Sequence, residues 1–100
     1  MELTNKQRRW LKGQAHSLEP FVHVGKGGLS AGVLDQAEAA LARHELVKVR
    51  LIADREERGE QAAELAQRTG AELIGTIGRV AILYRAAADA EARRYKLPGA

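Results

Sequence analysis

The hydrophobic positions of this chain change their spacing several times, and each change marks a different secondary-structure element. Leu11, Ala15 and Leu18 recur at helical spacing, which predicts a helix that buries one face. Thr4 and Gln7 stand three residues apart, as in a capping box, where each side chain accepts a hydrogen bond from the other residue's N–H. The sequence therefore predicts a first helix that begins after Thr4.

A strand and a second helix follow Pro20. The apolar run Phe21–Val24 predicts a short strand, and Ser30 is a favourable N-cap for the next helix. The predicted buried face of that helix comprises Val33, Leu34, Ala37, Ala40 and Leu41. His44 and Glu45 mark its predicted end.

A second strand–helix unit occupies the middle of the chain. Leu46–Ile52 predicts a strand in which Val47, Val49 and Leu51 face one way while Lys48 and Arg50 face the other. A third helix is predicted between Asp54, a good N-cap with Glu57 in the capping-box position, and Gly70, a typical residue after a helix end. Its predicted inner face comprises Ala62, Leu65, Ala66 and Thr69.

The last strands form a predicted hairpin, Glu72–Ile77 and Val80–Arg85, with Gly78 in the turn. The segment Ala86–Tyr95 can form a terminal helix. The order α-β-α-β-α-β-β combines two strand–helix–strand connections with a hairpin. It favours a compact α/β fold with one mixed four-stranded sheet covered by helices.

Length and composition narrow the class of protein. One hundred residues suffice for one domain, which we assign to residues 1–97, with a tail at 98–100. The absence of cysteine excludes disulfides, thiolate metal sites and thiol nucleophiles. No apolar run approaches the roughly 18 residues needed to span a bilayer, and the first residues, Met1–Lys6, lack the apolar stretch of a signal peptide. We therefore expect a soluble cytoplasmic protein that needs no membrane.

The charges are segregated along the chain, although the net charge is only +3. Lys6, Arg8, Arg9 and Lys12 lie in a stretch without any acid, whereas five acids between residues 54 and 64 accompany only two arginines. This distribution predicts one basic and one acidic face. A basic face favours a polyanionic partner, and only four aromatic residues argue against a platform that stacks single-stranded bases.

The turn Gly25-Lys26-Gly27-Gly28 is the candidate binding segment. It joins a strand to the start of a helix, where unpaired N–H groups and a partial positive charge attract phosphate. Glycines remove the Cβ atoms that would hold an RNA backbone away, and Lys26 adds a cation. Lys48 and Arg50 on the neighbouring strand extend the predicted basic surface, and Arg79 and Arg85 could do so. The alternative is a tight turn with no ligand.

Three separated motifs carry a resemblance to a known family. They are Leu3-Thr4-Asn5-Lys6-Gln7-Arg8-Arg9-Trp10-Leu11, Val24-Gly25-Lys26-Gly27-Gly28-Leu29-Ser30 and Ile77-Gly78-Arg79-Val80-Ala81-Ile82-Leu83-Tyr84-Arg85. Together they resemble the CRM domain (chloroplast RNA splicing and ribosome maturation), in its free-standing bacterial form, the YhbY family. The resemblance implies a fold similar to the C-terminal domain of bacterial translation initiation factor three. It also implies binding to ribosomal RNA in precursors of the large ribosomal subunit during assembly.

The resemblance also assigns roles to residues. The RNA-binding G-x-x-G loop of the family corresponds to Gly25, Lys26, Gly27 and Gly28, and basic first-helix contacts correspond more loosely to Lys6, Arg8, Arg9 and Lys12. Gly27 departs from the polar residue that many members carry there. An extra glycine raises the entropy lost when the loop is ordered.

Other functions have weaker support. The three histidines are scattered and no nucleophile–base set is present, so we expect no metal, no cofactor and no enzymatic activity. We expect a monomer that does not bind DNA, and we interpret Trp10 as a packing residue rather than a base-stacking one. The alternative function is a protein-interaction module that reaches ribosomal particles through a protein partner, using the acidic third helix.

Overall fold

The predicted order of helices and strands is confirmed by the structure, a computed structural model that describes residues 2–99. The elements are α1 (Asn5–Ala15), β1 (Val22–Val24), α2 (Ala31–His44), β2 (Leu46–Leu51), α3 (Arg55–Thr69), β3 (Glu72–Ile77) and β4 (Val80–Tyr84), followed by a single 3-10 turn at Ala90–Ala92. Met1 and Ala100, the last residue of the predicted tail, lie outside the described residues.

Side-chain caps fix where the three helices begin. Thr4 and Gln7 form both halves of the capping box, at 3.0 and 3.1 Å. Ser30 and Asp54 each accept a hydrogen bond from the N–H three residues further on. Gly70 ends α3 in the left-handed conformation, with φ of 70°, where other residues are strained. The local sequence thus determines the helix boundaries.

The strands form one mixed sheet in the order β1-β2-β4-β3. β1 runs parallel to β2, with Val22 opposite Val49, and β4 is antiparallel to both of its neighbours. The carboxyl ends of β1 and β2 therefore lie beside the β3–β4 turn. We call this edge the loop end of the sheet.

The two faces of the sheet are covered by different helices. One face packs against α2 and α3, and we call it the α2–α3 face. Its buried strand residues are Val22, Val24, Val47, Val49, Leu51, Ala81 and Leu83. On the opposite face, the α1 face, Leu46, Ile74, Ile82 and Tyr84 pack against Leu11 and Ala15 of α1. Strand alternation places His23, Lys48 and Arg50 on the α1 face as well.

A β-bulge interrupts β3. Leu73 pairs with Leu83, but the next pair joins Gly75 to Ile82, so that Ile74 is the extra residue. An extra residue reverses the alternation of every position that follows it. Ile77 consequently shares the α1 face with its partner Val80, and a regular strand would have placed it on the α2–α3 face.

The predicted terminal helix over Ala86–Tyr95 is wrong, because within it only Ala90–Ala92 form a 3-10 turn. The buried carboxylate of Glu45 accepts hydrogen bonds from the backbone N–H groups of Ala87 and Arg94, both at 2.6 Å. In an α-helix over this segment, the N–H of Arg94 would instead donate to the carbonyl oxygen of Ala90, four residues earlier. A tertiary contact therefore outweighs the helix propensity of this alanine-rich segment.

The segment after β4 covers part of the α1 face with aromatic contacts. Tyr95 makes edge-on contacts with Trp10 at 6.3 Å and with Tyr84 at 6.5 Å. Trp10 is half-buried in this cluster, which confirms its interpretation as a packing residue. Burial, reinforced by the Glu45 carboxylate, raises the pKa of Tyr84 above its usual 10.0, against the opposing effect of Arg93.

We predict that Glu45→Ala lowers the free energy of unfolding by about 2–4 kcal/mol, because two part-buried N–H groups lose a charged acceptor. Denaturant unfolding measures this loss, and hydrogen exchange should become faster at the amides of Ala87 and Arg94. Glu64→Ala is the matched control, because it removes an exposed pair with Arg68 worth at most about 0.5 kcal/mol. Equal stability of the two variants would contradict the assigned role of Glu45.

Candidate nucleic-acid interface

The turn between β1 and α2 lies in the open at the loop end of the sheet. The N–H of Gly28 donates to the carbonyl oxygen of Gly25 at 3.0 Å, which closes a tight turn with Lys26 and Gly27 at its tip. Gly25, Lys26 and Gly27 are exposed, and Gly28 is half-buried. A Cβ atom at Gly25 or Gly27 would meet nothing within 4 Å, so the space in front of the turn is open to a ligand.

The amino terminus of α2 stands directly behind this turn. Ser30 Oγ accepts a hydrogen bond from the N–H of Val33 at 3.2 Å. The N–H groups of Ala31 and Gly32 belong to the first turn of the helix, where the helix itself offers no acceptor. The end of α2 therefore presents backbone donors and a partial positive charge, which suit a phosphate.

Helix α3 lies close behind the turn. A Cβ atom at Gly28 would lie 3.6 Å from Nε2 of Gln61, and Gln61 Oε1 is buried without a hydrogen-bond partner among the described residues. Gly28 has φ of 68°, a conformation that costs other residues energy. The positive φ thus explains a glycine at position 28, whereas the fold itself does not require one at 27.

Arg50 continues the basic surface from the turn across the α1 face. His23, two residues before Gly25, pairs with Arg50, and Arg50 pairs with Val80 on its other side. The Arg50 side chain is exposed and makes no hydrogen bond or ion pair within residues 2–99. Its guanidinium is thus available to a ligand that contacts the turn.

Lys48 lies on the same face but is held by the fold. Its Nζ donates to the carbonyl oxygen of Leu18 at 2.8 Å, and the residue is half-buried. This bond ties the segment after α1 to the sheet. Lys48 contributes its charge to the surface, while one of its donors is already used.

The basic residues of α1 have different surroundings. Arg8 donates to the carbonyl oxygen of Leu73 at 2.8 Å and forms an ion pair with Glu72 at 3.4 Å, so its guanidinium is tied to β3. Lys6, Arg9 and Lys12 are exposed. Each three-residue step falls about 60° short of a full turn of an α-helix, so these three side chains fan around α1 instead of sharing one line.

The direction of α1 decides how near these cations come to the turn. Arg8 contacts the beginning of β3, whereas Lys12 lies over Gly75, with its Cε 3.3 Å from the place of a Cβ atom there. α1 therefore runs towards the loop end, and Lys12 is nearer to that end than Lys6 and Arg9. The structure brings Lys26, Arg50 and Lys12 towards one end and leaves Lys6 and Arg9 further away.

The two arginines of the acidic segment, residues 54–64, also lie at the loop end. Arg55 and Arg58 line a groove with Thr76 and Gly78, between the start of α3 and the β3–β4 turn. Arg58 Nη1 donates to the carbonyl oxygen of Ala53 at 2.9 Å. No spacing in the sequence indicates this groove, because the strand pairing alone brings its two walls together.

The two arginines of the hairpin end up at opposite ends of the sheet. Arg79 lies at the loop end, where its Nη1 donates to the carbonyl oxygen of Ile52 at 3.0 Å. Arg85 pairs with Glu38 at 2.9 Å and donates to the carbonyl oxygen of Thr69 at 2.7 Å. Only Arg79 extends the basic surface.

Residues 2–99 contain no group of three or more histidine, aspartate or glutamate side chains placed to hold a metal ion. None of the helices described is both long and apolar enough to cross a bilayer.

We predict that Gly28→Ala lowers the free energy of unfolding by about 1 kcal/mol, because alanine is strained at positive φ. Gly27→Ala is the control, and it should be at least as stable as the wild type because φ is not positive there and the space is open. Thermal and urea unfolding measure both. A stable Gly28→Ala variant would show that the turn adopts another conformation.

Comparisons with known proteins identify relatives of similar sequence and a solved structure of similar fold. A protein from Haemophilus influenzae named "RNA-binding protein" is 42% identical over 90 residues, covering 89% of this chain and 91% of the relative. "Probable RNA-binding protein YqeI" of Bacillus subtilis is 39% identical over 84 residues, covering 83% and 88%. The solution structure of SAV1595 from Staphylococcus aureus matches with a TM-score of 0.84 and 32% identity, over 97% of this chain and 100% of that one.

The family comparison covers all the elements that form the candidate site. The model of the CRS1 / YhbY (CRM) domain matches residues 3–85, a range that includes α1, the β1–α2 turn and the closing hairpin. The Haemophilus influenzae and Bacillus subtilis relatives carry names that specify RNA binding. The chain is therefore a member of the CRS1/YhbY (CRM) domain family of RNA-binding proteins.

Proposed function

We propose that this protein acts in ribosome assembly by binding ribosomal RNA in precursors of the large subunit, as a monomer and without catalysis. The observation that carries RNA contact is the exposed turn at residues 25–28, which stands before the amino terminus of α2 and beside Arg50. The ribosomal target rests on the family resemblance found in the sequence. The proposed RNA-binding domain comprises residues 1–97, followed by a short tail at 98–100.

The proposed contact is to the sugar–phosphate backbone of folded RNA. A turn without side chains at Gly25 and Gly27 admits the backbone closely, and the first N–H groups of α2 can donate to phosphate oxygens. Such contacts recognise shape rather than sequence. Affinity should therefore fall steeply as salt concentration rises, because phosphate binding releases counterions.

The basic residues take unequal parts in this contact. Lys26, Arg50 and Lys12 contact RNA directly, because they are exposed towards the loop end of the sheet. Lys6 and Arg9 contact a more distant stretch of the backbone along the outer side of α1. Arg8 and Lys48 act mainly by holding α1 and the following segment on the sheet.

The alternative function, recruitment by a protein partner through the acidic side of α3, makes a different prediction. Glu56, Glu57, Glu60 and Glu64 are exposed, as a binding surface requires. Nuclease treatment before affinity purification separates the two functions. Large-subunit precursors should be lost after treatment if RNA mediates the contact, whereas a protein-mediated contact would survive.

We predict that the double variant Lys26→Asp with Gly27→Asp weakens RNA binding by about tenfold to hundredfold. This is the loss of affinity expected when one or two charge-assisted hydrogen bonds are removed. Filter binding to a structured ribosomal RNA fragment measures the affinity. In cell extracts the same variant should leave the large-subunit precursor fractions of a sedimentation gradient.

The matched control is Lys96→Asp with Gly99→Asp, which makes the same change of charge at two exposed residues near the carboxyl terminus. Gln7 contacts Pro98, which places this control beside the start of α1 and away from the loop end. Full RNA affinity of the Lys26–Gly27 variant, with a wild-type melting temperature, would remove the turn from the proposed function.

Arg50 and Arg8 provide a second test of the surface. We predict that Arg50→Ala weakens RNA binding and reduces the slope of log affinity against log salt by about 1, with unchanged stability, as expected for one lost phosphate contact. Arg8→Ala should instead lower the melting temperature, because the contacts of its guanidinium with Leu73 and Glu72 on β3 are lost. The reverse pattern would contradict the assignment of direct and indirect roles.

A further inference from the structure

The α1 face carries a shallow pocket next to the end of α1, and the proposed direct backbone contacts use only Lys12 of its lining residues. The pocket measures about 220 Å³. Its apolar wall consists of Ala15, Ile77, Val80 and Ile82, and its polar wall of Lys12, His16 and Lys48. We call it the Ile77 pocket.

Ile77 stands out because the fold leaves it uncovered. Its exposed fraction is 58%, the largest among the bulky apolar residues that are exposed within residues 2–99. The β-bulge at Ile74 turns Ile77 towards the α1 face, where α1 ends before it can cover the residue. An apolar side chain in this position loses the stabilisation of burial unless a ligand covers it.

The two walls of the pocket select one kind of ligand. Bare phosphate gains nothing from the isoleucine and valine side chains, and a purely apolar group gains nothing from the lysines. An unpaired nucleobase presents a flat, weakly polar ring that can lie against Ile77, Val80 and Ile82. Its own phosphate remains attached through the sugar and can reach the lysine ammonium groups.

The pocket is also in the right place for a base of the same RNA. Val80 in its wall pairs with Arg50, and Arg50 pairs with His23, two residues before Gly25. Neighbouring strands lie about 4.8 Å apart, so this row of residues leads from the turn to the pocket in two strand spacings. An RNA backbone that follows Lys26 and Arg50 passes beside the pocket.

We infer that the Ile77 pocket receives one unpaired base of the bound RNA. This inference rests on the proposed function. The backbone contacts recognise the shape of the RNA, and the pocket adds a preference for RNA with a bulged or looped-out nucleotide. Aromatic stacking is scarce in this chain, so aliphatic side chains and the imidazole of His16 provide the surface for the base.

The test compares two RNA hairpins that differ only in a single-nucleotide bulge in the stem. Wild-type protein should bind the bulged hairpin about tenfold more tightly, a ratio in the lower part of the range for one base stacked on an aromatic side chain, because the surface here is mainly aliphatic. Ile77→Ser should bind both hairpins with the affinity of the wild type for the paired one. Ile77→Leu should restore the preference.

Ile52→Ser is the matched control, because Ile52 is an apolar residue at the same end of the sheet, 47% exposed and outside the pocket. It should keep the preference for the bulge. A fluorescent purine analogue placed at the bulge should change its emission when wild-type protein binds the hairpin. Its emission should stay the same when Ile77→Ser binds.

The outcomes separate this inference from the proposed function. Equal affinity of wild-type protein for the two hairpins, or an unchanged preference in Ile77→Ser, would overturn the base pocket while backbone binding stands. The Lys26→Asp, Gly27→Asp variant should lose affinity for both hairpins by the same factor. If it binds both like the wild type, the proposed function fails instead.

Discussion

The surface assigned to RNA depends on where the single helix that covers one face of the sheet ends. α2 and α3 cover the α2–α3 face, whereas within residues 2–99 the α1 face is covered by α1, its flanking residues and part of the carboxyl-terminal segment. α1 ends at Ala15, beside the pocket that Ile77 and Val80 line. The row at the loop end, in which Arg50 pairs with Val80 and Val80 pairs with Ile77, therefore remains open to a ligand.

Parallel pairing of β1 and β2 determines where the ligand meets backbone donors. Each of these strands continues into a helix, so the amino termini of α2 and α3 lie at the same end of the sheet. Asp54 and the acids of its first turn offset the positive end of α3, whereas α2 has no acid in its first turn. The end of α2 is therefore the more favourable of the two for phosphate.

Glu45 keeps the carboxyl-terminal segment away from this surface. The residue adopts φ of 65°, a conformation that is costly for glutamate, and its carboxylate holds Ala87 and Arg94. The segment consequently packs through Tyr95 on Trp10 and Tyr84, and the loop end stays open. The strain at one buried residue is offset by two hydrogen bonds to a charged group.

The sequence by itself determined the helices and strands up to Tyr84, because caps, glycines and hydrophobic spacing are local signals, and its motifs identified the family and the turn at residues 25–28. It failed at Ala86–Tyr95, where a distant carboxylate overrides local propensity. Only the tertiary structure separated the free Arg50 from the tied Arg8, joined Arg55 to the β3–β4 turn, and placed Ile77 on the α1 face through a bulge. These outcomes depend on strand register and on partners far along the chain, which spacing between neighbouring residues does not encode.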